Sequence, residues 1–380
     1  MRDLNPFQFS GPLAPEDMID RDPEADDLLT LALGGHSFRL LGPRRYGKTT
    51  LLRRVLDAAE REGMATILVD LQDVLSIAEV VVRIERAYDR LKGPVRKRVE
   101  ALLRTWDIGL SLGGGGFTAT LARNPSVDSE AVLLRLLELP RELLDRDGTT
   151  SLIVFDEIQD VLVVPGADGK IRSVIQHHQQ AATYAFVGSA PGAMRQLFQD
   201  PQRPLLDQAV PRDLAPLPTA QTAEYIERRF ARSGRDPGSA LTPLLDFARG
   251  HPQRSMMLAH YLWQRTPRDA RADERTWLSA LDRAAGDSAP LMHAIWRALS
   301  VNERRVMLAL AVLGTPLHSE QTAAAVGIKR SSIGAAVESL LAKADLIRAG
   351  ERLQITDPMF EDWLAGRGLA GTGEPDERPS

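Results

Sequence analysis

Leu40-Leu41-Gly42-Pro43-Arg44-Arg45-Tyr46-Gly47-Lys48-Thr49-Thr50 decides the fold of this chain. From Gly42 to Thr49 it fits G-x-x-x-x-G-K-[ST], the spacing of a phosphate-binding loop. The context agrees, because the chemistry needs a strand, a loop and a helix in series. Ser37-Phe38-Arg39-Leu40-Leu41 reads as a short strand before the loop, and Thr50-Leu51-Leu52-Arg53-Arg54-Val55-Leu56 as the opening of a helix after it. Gly42 and Gly47 permit torsions and close approaches that a side chain would block. Backbone N–H groups of the loop and the helix N-terminus then face a bound phosphate. Lys48 is the candidate for the β- and γ-phosphates, and the Thr49 hydroxyl for Mg2+. Pro43, Arg44, Arg45, Tyr46 and Thr50 complete the nucleotide-binding candidates of the loop.

A second pattern fits the first. Leu152-Ile153-Val154-Phe155 is a continuous apolar run that ends in Asp156-Glu157. Such a run reads as a strand buried on both faces of a parallel sheet. Its carboxylates then stand at the C-terminal edge, where α/β sheets bind ligands. Asp156 is the candidate metal residue, and Glu157 the candidate group that orients or deprotonates an attacking water.

At 380 residues the chain is long for one ordinary domain and suggests two or three. A formal charge of −4 predicts no broad affinity for nucleic acid or anionic membrane. The absence of cysteine excludes disulfides and thiolate metal sites. Met1-Arg2-Asp3-Leu4-Asn5-Pro6-Phe7 has no apolar signal core, and no run reaches the roughly 20 apolar residues of a membrane span. The expectation is a cytoplasmic protein with no membrane partner.

Along the chain, strands alternate with helices up to about residue 214. After a helix ending near Leu33, strands are expected at Ala65–Asp70, Leu152–Phe155, Tyr184–Val187 and Val210–Leu214, with helices at Ile77–Leu91 and Ser129–Leu144 between them. This is the pattern of a parallel sheet. Ile108–Leu112 and Phe117–Leu121 alternate around Gly113–Gly116 and predict a β-hairpin insertion. A helix over Ile171–Gln180 would carry His177 and His178, which read as a solvated or locally hydrogen-bonded pair rather than metal ligands. From Thr219 the pattern is helical, with helices expected over 219–232, 239–249 and 252–265. Ser300-Val301-Asn302-Glu303 is a capping box that opens a helix to about Leu313. A short helix from Ser319, a longer one from Ser331 to about Ala344, and strands at Leu346–Arg348 and Arg352–Ile355 make a winged helix-turn-helix. The expected organisation is an α/β P-loop core over 1–216, a helical lid over 217–288, a winged helix over 289–366 and a disordered tail over 367–380.

Together these residues resemble a known family. Asn5-Pro6-Phe7, Arg21, the 42–50 loop, the Asp156-Glu157 strand, Phe186-Val187-Gly188-Ser189 and Gly250-His251-Pro252 are similar to the archaeal-type ATPases. These belong to the signal-transducing (STAND) branch of the AAA+-like P-loop ATPases and are relatives of the origin-recognition initiators. The resemblance covers about residues 5–365. It implies ATP and Mg2+ as ligands, Ser189 as a catalytic sensor of the γ-phosphate, and Gly250-His251-Pro252 as a motif closing over base or ribose. It also implies an adenine pocket near Ile19 and Arg21. Two departures stand out. Where the family often carries a Gly-Arg pair, this chain has Asp207-Gln208, and where initiators carry a sensor arginine it has Gln253, with Arg254 adjacent. The resemblance therefore implies a slowly hydrolysing, Mg2+-dependent ATPase switch with an unidentified protein partner. Two other readings stay open: an ATP-dependent DNA-binding regulator, and a scaffold that forms homo-oligomers when ATP-bound. For DNA, the candidates are Lys329, Arg330, Ser331, Ser332 and Arg352. Against them, residues 291–366 carry eight basic and eight acidic groups, which leaves little counterion release to drive binding. No residue reads as a guanine-specific contact, so ATP and GTP are not distinguished.

Overall fold

The computed structural model describes residues 4–11, 19, 21–103, 128–314, 325, 327 and 329–368. These divide into two compact units, one of Arg21–Gly42 with Lys48–Leu214 and the other of Met1–Asp20, Pro43–Gly47 and Ala215–Ser380.

The first unit is the α/β core. Its elements run α1 (Asp22–Leu33), β1 (Phe38–Leu41), α2 (Lys48–Arg61), β2 (Ala65–Asp70), α3 (Ile77–Asp89), α4 (Gly93–Leu103) and α5 (Ser129–Asp147). There follow β3 (Ser151–Asp156), a short 3-10 helix (Ile158–Val163), α6 (Ala167–Ile175), β4 (Ala182–Gly188), α7 (Pro191–Gln199) and β5 (Val210–Asp213). The five strands are parallel in the order β2-β3-β4-β1-β5. β4 is buried along its whole length and β3 up to its last residue, which explains why both read as unbroken apolar runs. β5, at the edge, alternates half-buried and exposed positions. One apolar cluster joins β2, β3 and β4 to α3, α5, α6 and α7. The register pairs Leu41 with Gly188, and Asp70 with Asp156. The strand ends are therefore level, and the residues that follow them emerge on one edge.

The second unit is helical with a small hairpin. It holds α8 (Thr219–Arg232), a 3-10 turn (Gly238–Ala240), α9 (Leu241–Ala248), α10 (Pro252–Arg265), α11 (Glu274–Ala298), α12 (Val301–Leu313), α13 (Arg330–Ala342), β6 (Leu346–Ala349), β7 (Arg352–Ile355) and α14 (Pro358–Arg367). β6 and β7 pair antiparallel. The segments expected as lid and winged helix share one apolar cluster, which runs from Ile226 and Leu258 to Leu340 and Phe360. The N-terminal segment is fastened to it. Asn5 donates its amide to the His260 carbonyl at 3.0 Å, His260 Nδ1 lies 2.8 Å from the Phe7 carbonyl, and the Phe7 ring packs on Phe230.

Several expectations are revised. The 25-residue α11 was not expected from the sequence, because Gly286 and Pro290 interrupt its helical signal. It is held by a capping box between Asp273 and Thr276 at its start and by Trp277, Ala280, Ala284, Met292 and Trp296 in the core. The helix expected over Ile171–Gln180 ends at Ile175, so the histidines stand in the turn after it. The hairpin expected over 108–121 and the short helix from Ser319 fall outside the described residues, as does the tail beyond Gly368. No helix among the described residues is long and apolar enough to cross a membrane.

Candidate functional site

The loop after β1 closes on itself through its lysine. Lys48 is buried, and its Nζ donates to the Gly42 carbonyl at 2.7 Å. The Gly42 N–H donates to the Gly188 carbonyl at 3.4 Å. A Cβ on Gly42 would meet the Leu214 Cβ at 3.0 Å and the Lys48 stem at 3.6 Å, so the position is tight for a side chain. Gly47 has φ 85°, which glycine adopts freely. Arg45 has φ 68°, a torsion that costs a non-glycine residue free energy and persists only where the surroundings impose it. α2 begins at Lys48, so the first amides of the helix follow directly on the loop. Thr50 is buried in α2, and Arg44 and Arg45 are exposed.

Pro43–Gly47 group with the helical unit. Tyr46 is buried, and its ring meets His251 edge-on at 5.0 Å. His251 caps α10, with Nδ1 accepting from the Arg254 N–H at 3.4 Å, and Pro252 takes the first helical position. Burial pushes the His251 imidazole down to about 4, so it is neutral at physiological pH. Gly250 has φ 72°, and a Cβ there would lie 2.4 Å from the Leu217 carbonyl. The Gly-His-Pro stretch is thus a tight turn with a buried imidazole.

Arg254 has 1% of its surface exposed. Its guanidinium grips Asp357 in two places, Nε to Oδ1 at 2.9 Å and Nη2 to Oδ2 at 2.5 Å. Asp357 also caps α14 by accepting from the Met359 N–H at 3.0 Å. Arg45 is within electrostatic range of both. Ile19 is buried in the same helical cluster, with Phe7, Leu217 and Tyr225.

On the core side, Asp156 and Glu157 follow β3. The Thr49 hydroxyl reaches Asp156 Oδ2 at 3.5 Å, and the Glu157 N–H donates to Asp156 Oδ1 at 3.1 Å. Burial pushes the Asp156 carboxyl up to about 6, with Glu157 adding to the effect and Lys48 opposing it. A half-buried carboxylate beside a hydroxyl is a hard-oxygen donor pair, the kind that suits Mg2+ held jointly with phosphates. Glu157 sits at φ 51°, ψ 42°, and this left-handed turn passes the chain straight from β3 into the 3-10 helix. Its Oε2 accepts from the Ser189 hydroxyl at 2.9 Å and from Gln159 Nε2 at 2.5 Å. Arg21 is buried and paired with Glu24 in the first turn of α1.

Lys48, Thr49, Asp156, Glu157 and Ser189 are therefore brought together at one edge of the sheet. Gln159 joins them and was missed. Its only signal was a polar residue two positions after Glu157, in Ile158-Gln159-Asp160-Val161. Gln208 lies just before β5, at the amino-terminal edge of the sheet, where it lines a cleft of about 440 Å3 with His36, Ser37, His178 and Tyr184. His178 is buried between the Tyr184 hydroxyl (2.8 Å) and Glu138 (3.3 Å), a locally hydrogen-bonded histidine whose partner carboxylate comes from α5. Lys329 and Ser331 are exposed at the start of α13, Ser332 is half-buried and Arg352 is exposed on β7. Glu338 of α13 pairs with Arg348 of β6 at 3.4 Å.

No protein-family model and no curated protein matches the sequence. Solved structures do match in shape. The chain is similar to the Walker-type ATPase PABY2304 of Pyrococcus abyssi, with a TM-score of 0.71 and 19% identity over 94% of this chain and 99% of that one. It is also similar to the ORC2 protein of Aeropyrum pernix in its ADPNP-ADP complexes, with a TM-score of 0.59 and 16% identity over 96% of each chain. The ADP form of that protein gives 0.51 over the same coverage. These likenesses show the fold, an AAA+-type P-loop ATPase fold of the ORC-like kind.

Proposed function

We propose that this protein binds ATP at the 42–50 loop and hydrolyses it slowly, as a switch. The observation that carries this reading is the cluster of Lys48, Thr49, Asp156, Glu157 and Ser189 at the carboxyl edge of the parallel sheet, with Lys48 and Ser189 buried and the other three half-buried. In the nucleotide complex the Lys48 ammonium leaves the Gly42 carbonyl for the β- and γ-phosphates, and the amides at the start of α2 receive phosphate oxygens. Thr49 and Asp156 would hold Mg2+, which would supply neutralisation of the phosphate charge. Glu157 takes the proton of the attacking water, and Ser189 reports the γ-phosphate through the oxygen that it shares with Glu157. Ile19, Arg21 and Pro252 border the base and ribose in this reading.

The switch part rests on Arg254. Its two-point grip on Asp357 ties the start of α10 to the start of α14, so the Gly-His-Pro turn and the C-terminal helices move as one body. A nucleotide that engages Arg45, Tyr46 and this turn acts on all of them, and loss of the γ-phosphate reverses the effect. The family that the sequence resembles often carries an arginine where this chain has Gln208. Gln208 stands at the amino-terminal edge of the sheet, away from Glu157, so slow turnover, below the roughly 1–10³ s⁻¹ of typical enzymes, rests on that resemblance alone. A DNA-binding role draws less support. The eight-to-eight charge balance over 291–366 and the Arg348–Glu338 pair leave little uncompensated positive charge.

Phosphate release from Mg-ATP by the purified chain, alongside thermal shift with ATP, ADP and GTP, tests the proposal. Stabilisation by adenine nucleotides with slow, Mg2+-dependent phosphate release is expected. No stabilisation by any nucleotide would refute it.

A further inference from the structure

Four facts converge on Gln159. Its side chain is buried, with 7% of the residue exposed, and Nε2 donates to Glu157 Oε2 at 2.5 Å. Its Oε1 has no partner among the described residues. A buried acceptor without a partner is a net loss to folding unless it is kept for another reason. The neighbouring strand end is shaped around that amide. A Cβ built on Gly188 would lie 2.5 Å from Gln159 Oε1 and 2.5 Å from Met194 Sδ. Gly188 is not at a positive φ, so the glycine is needed for space alone. Finally, Glu157 occupies a left-handed torsion unusual for its type. That turn swings its carboxylate to meet donors from two elements at once, Gln159 of the 3-10 helix and Ser189 after β4.

An apolar side chain of similar length would fill the Gln159 site without stranding an acceptor. We infer that Gln159 is a positioning residue for hydrolysis: with Ser189 it pins one oxygen of the Glu157 carboxylate, which fixes the direction in which the other oxygen faces. Gly188 leaves the amide the room to do so. The inference rests on the hydrolytic reading of the Asp156-Glu157 edge and adds the residue that sets the aim of its base. A carboxylate held by one hydroxyl alone can rotate about its χ angles, and a misplacement of about 1 Å can lower a rate by roughly 10²-fold.

The test compares wild type with Gln159→Met and Gly188→Ala in the full-length chain. Three quantities are read for each: Mg-ATP affinity by titration calorimetry, melting temperature, and single-turnover hydrolysis. Gln159→Met removes both the donor and the stranded acceptor. Expected are unchanged affinity, a melting temperature equal to or above that of wild type, and hydrolysis lowered by roughly tenfold to a hundredfold. Gly188→Ala leaves Gln159 in place but pushes its amide aside, and is expected to lower hydrolysis with affinity retained. It also keeps the question open to test if the first variant folds poorly. Hydrolysis at the wild-type rate in Gln159→Met overturns the inference alone. So does a parallel fall in melting temperature, affinity and rate, which would mark a purely structural residue. A wild-type protein that binds ATP yet releases no phosphate overturns the hydrolytic reading and this inference with it.

Discussion

At the scale of single residues, binding and chemistry fall to different side chains. Glu157 lies at the carboxyl edge with two donors on one oxygen, while Asp156 beside it is half-buried and faces Thr49. Glu157→Gln keeps the shape and loses the base. The expected result is near-normal ATP affinity with hydrolysis down by roughly 10²-fold or more. Asp156→Asn should instead weaken Mg2+-dependent binding, and calorimetry with and without the metal distinguishes the two variants. Wild-type turnover in Glu157→Gln would place the base elsewhere. Both carboxylates were legible in the sequence, because an apolar run ending in Asp-Glu is a local signal. Gln159 was not, since its meaning depends on Ser189 and Gly188, which arrive from another strand. Nor could the sequence give the partner of Arg254, because Asp357 is 103 residues away.

At the scale of elements, the Arg254–Asp357 pair carries the most weight. It is nearly dry at the arginine, doubly hydrogen-bonded, and placed at the first turn of two helices, α10 and α14. Removing one partner of such a pair leaves the other charge buried and alone, which typically costs about 3–5 kcal/mol. Asp357→Ala should therefore lower the stability of the protein by an amount of that order, and also remove the cap of α14. A denaturant titration measures it, and a loss of under about 1 kcal/mol would show the pair to be incidental. The elements themselves were legible where periodicity was clean. β2, α8, α10 and β7 fall where the pattern placed them. α4, α7, α11 and α14 were not anticipated. Pro191 and Pro358 open two of these helices and Pro290 lies inside a third, so residues that read as breaks act instead as first-turn residues or a tolerated interruption.

At the scale of the whole molecule, stability should depend on acid through Glu303. Burial pushes its carboxyl up, but the Lys343 ion pair and hydrogen bonds from Ser300 and Ser339 outweigh this and hold it down to about 2. An acid whose folded value lies below its unfolded one stabilises the fold above the unfolded value, near 4.5, and loses that contribution as pH falls toward 2. Asp345, pushed up to about 6 by burial, acts in the opposite sense between roughly pH 4 and 6. The difference between wild type and Glu303→Gln isolates the first effect. Their melting temperatures should converge as pH falls from 5 to 2, and a constant gap would contradict the ion-pair account. The central claim is that the 42–50 loop binds ATP through Lys48. Its most direct test is titration of Mg-ATP into wild type and Lys48→Ala at neutral pH by isothermal calorimetry. Saturable binding by the wild type and none by a folded variant is predicted. Equal affinity in the two proteins would contradict the assignment of the loop.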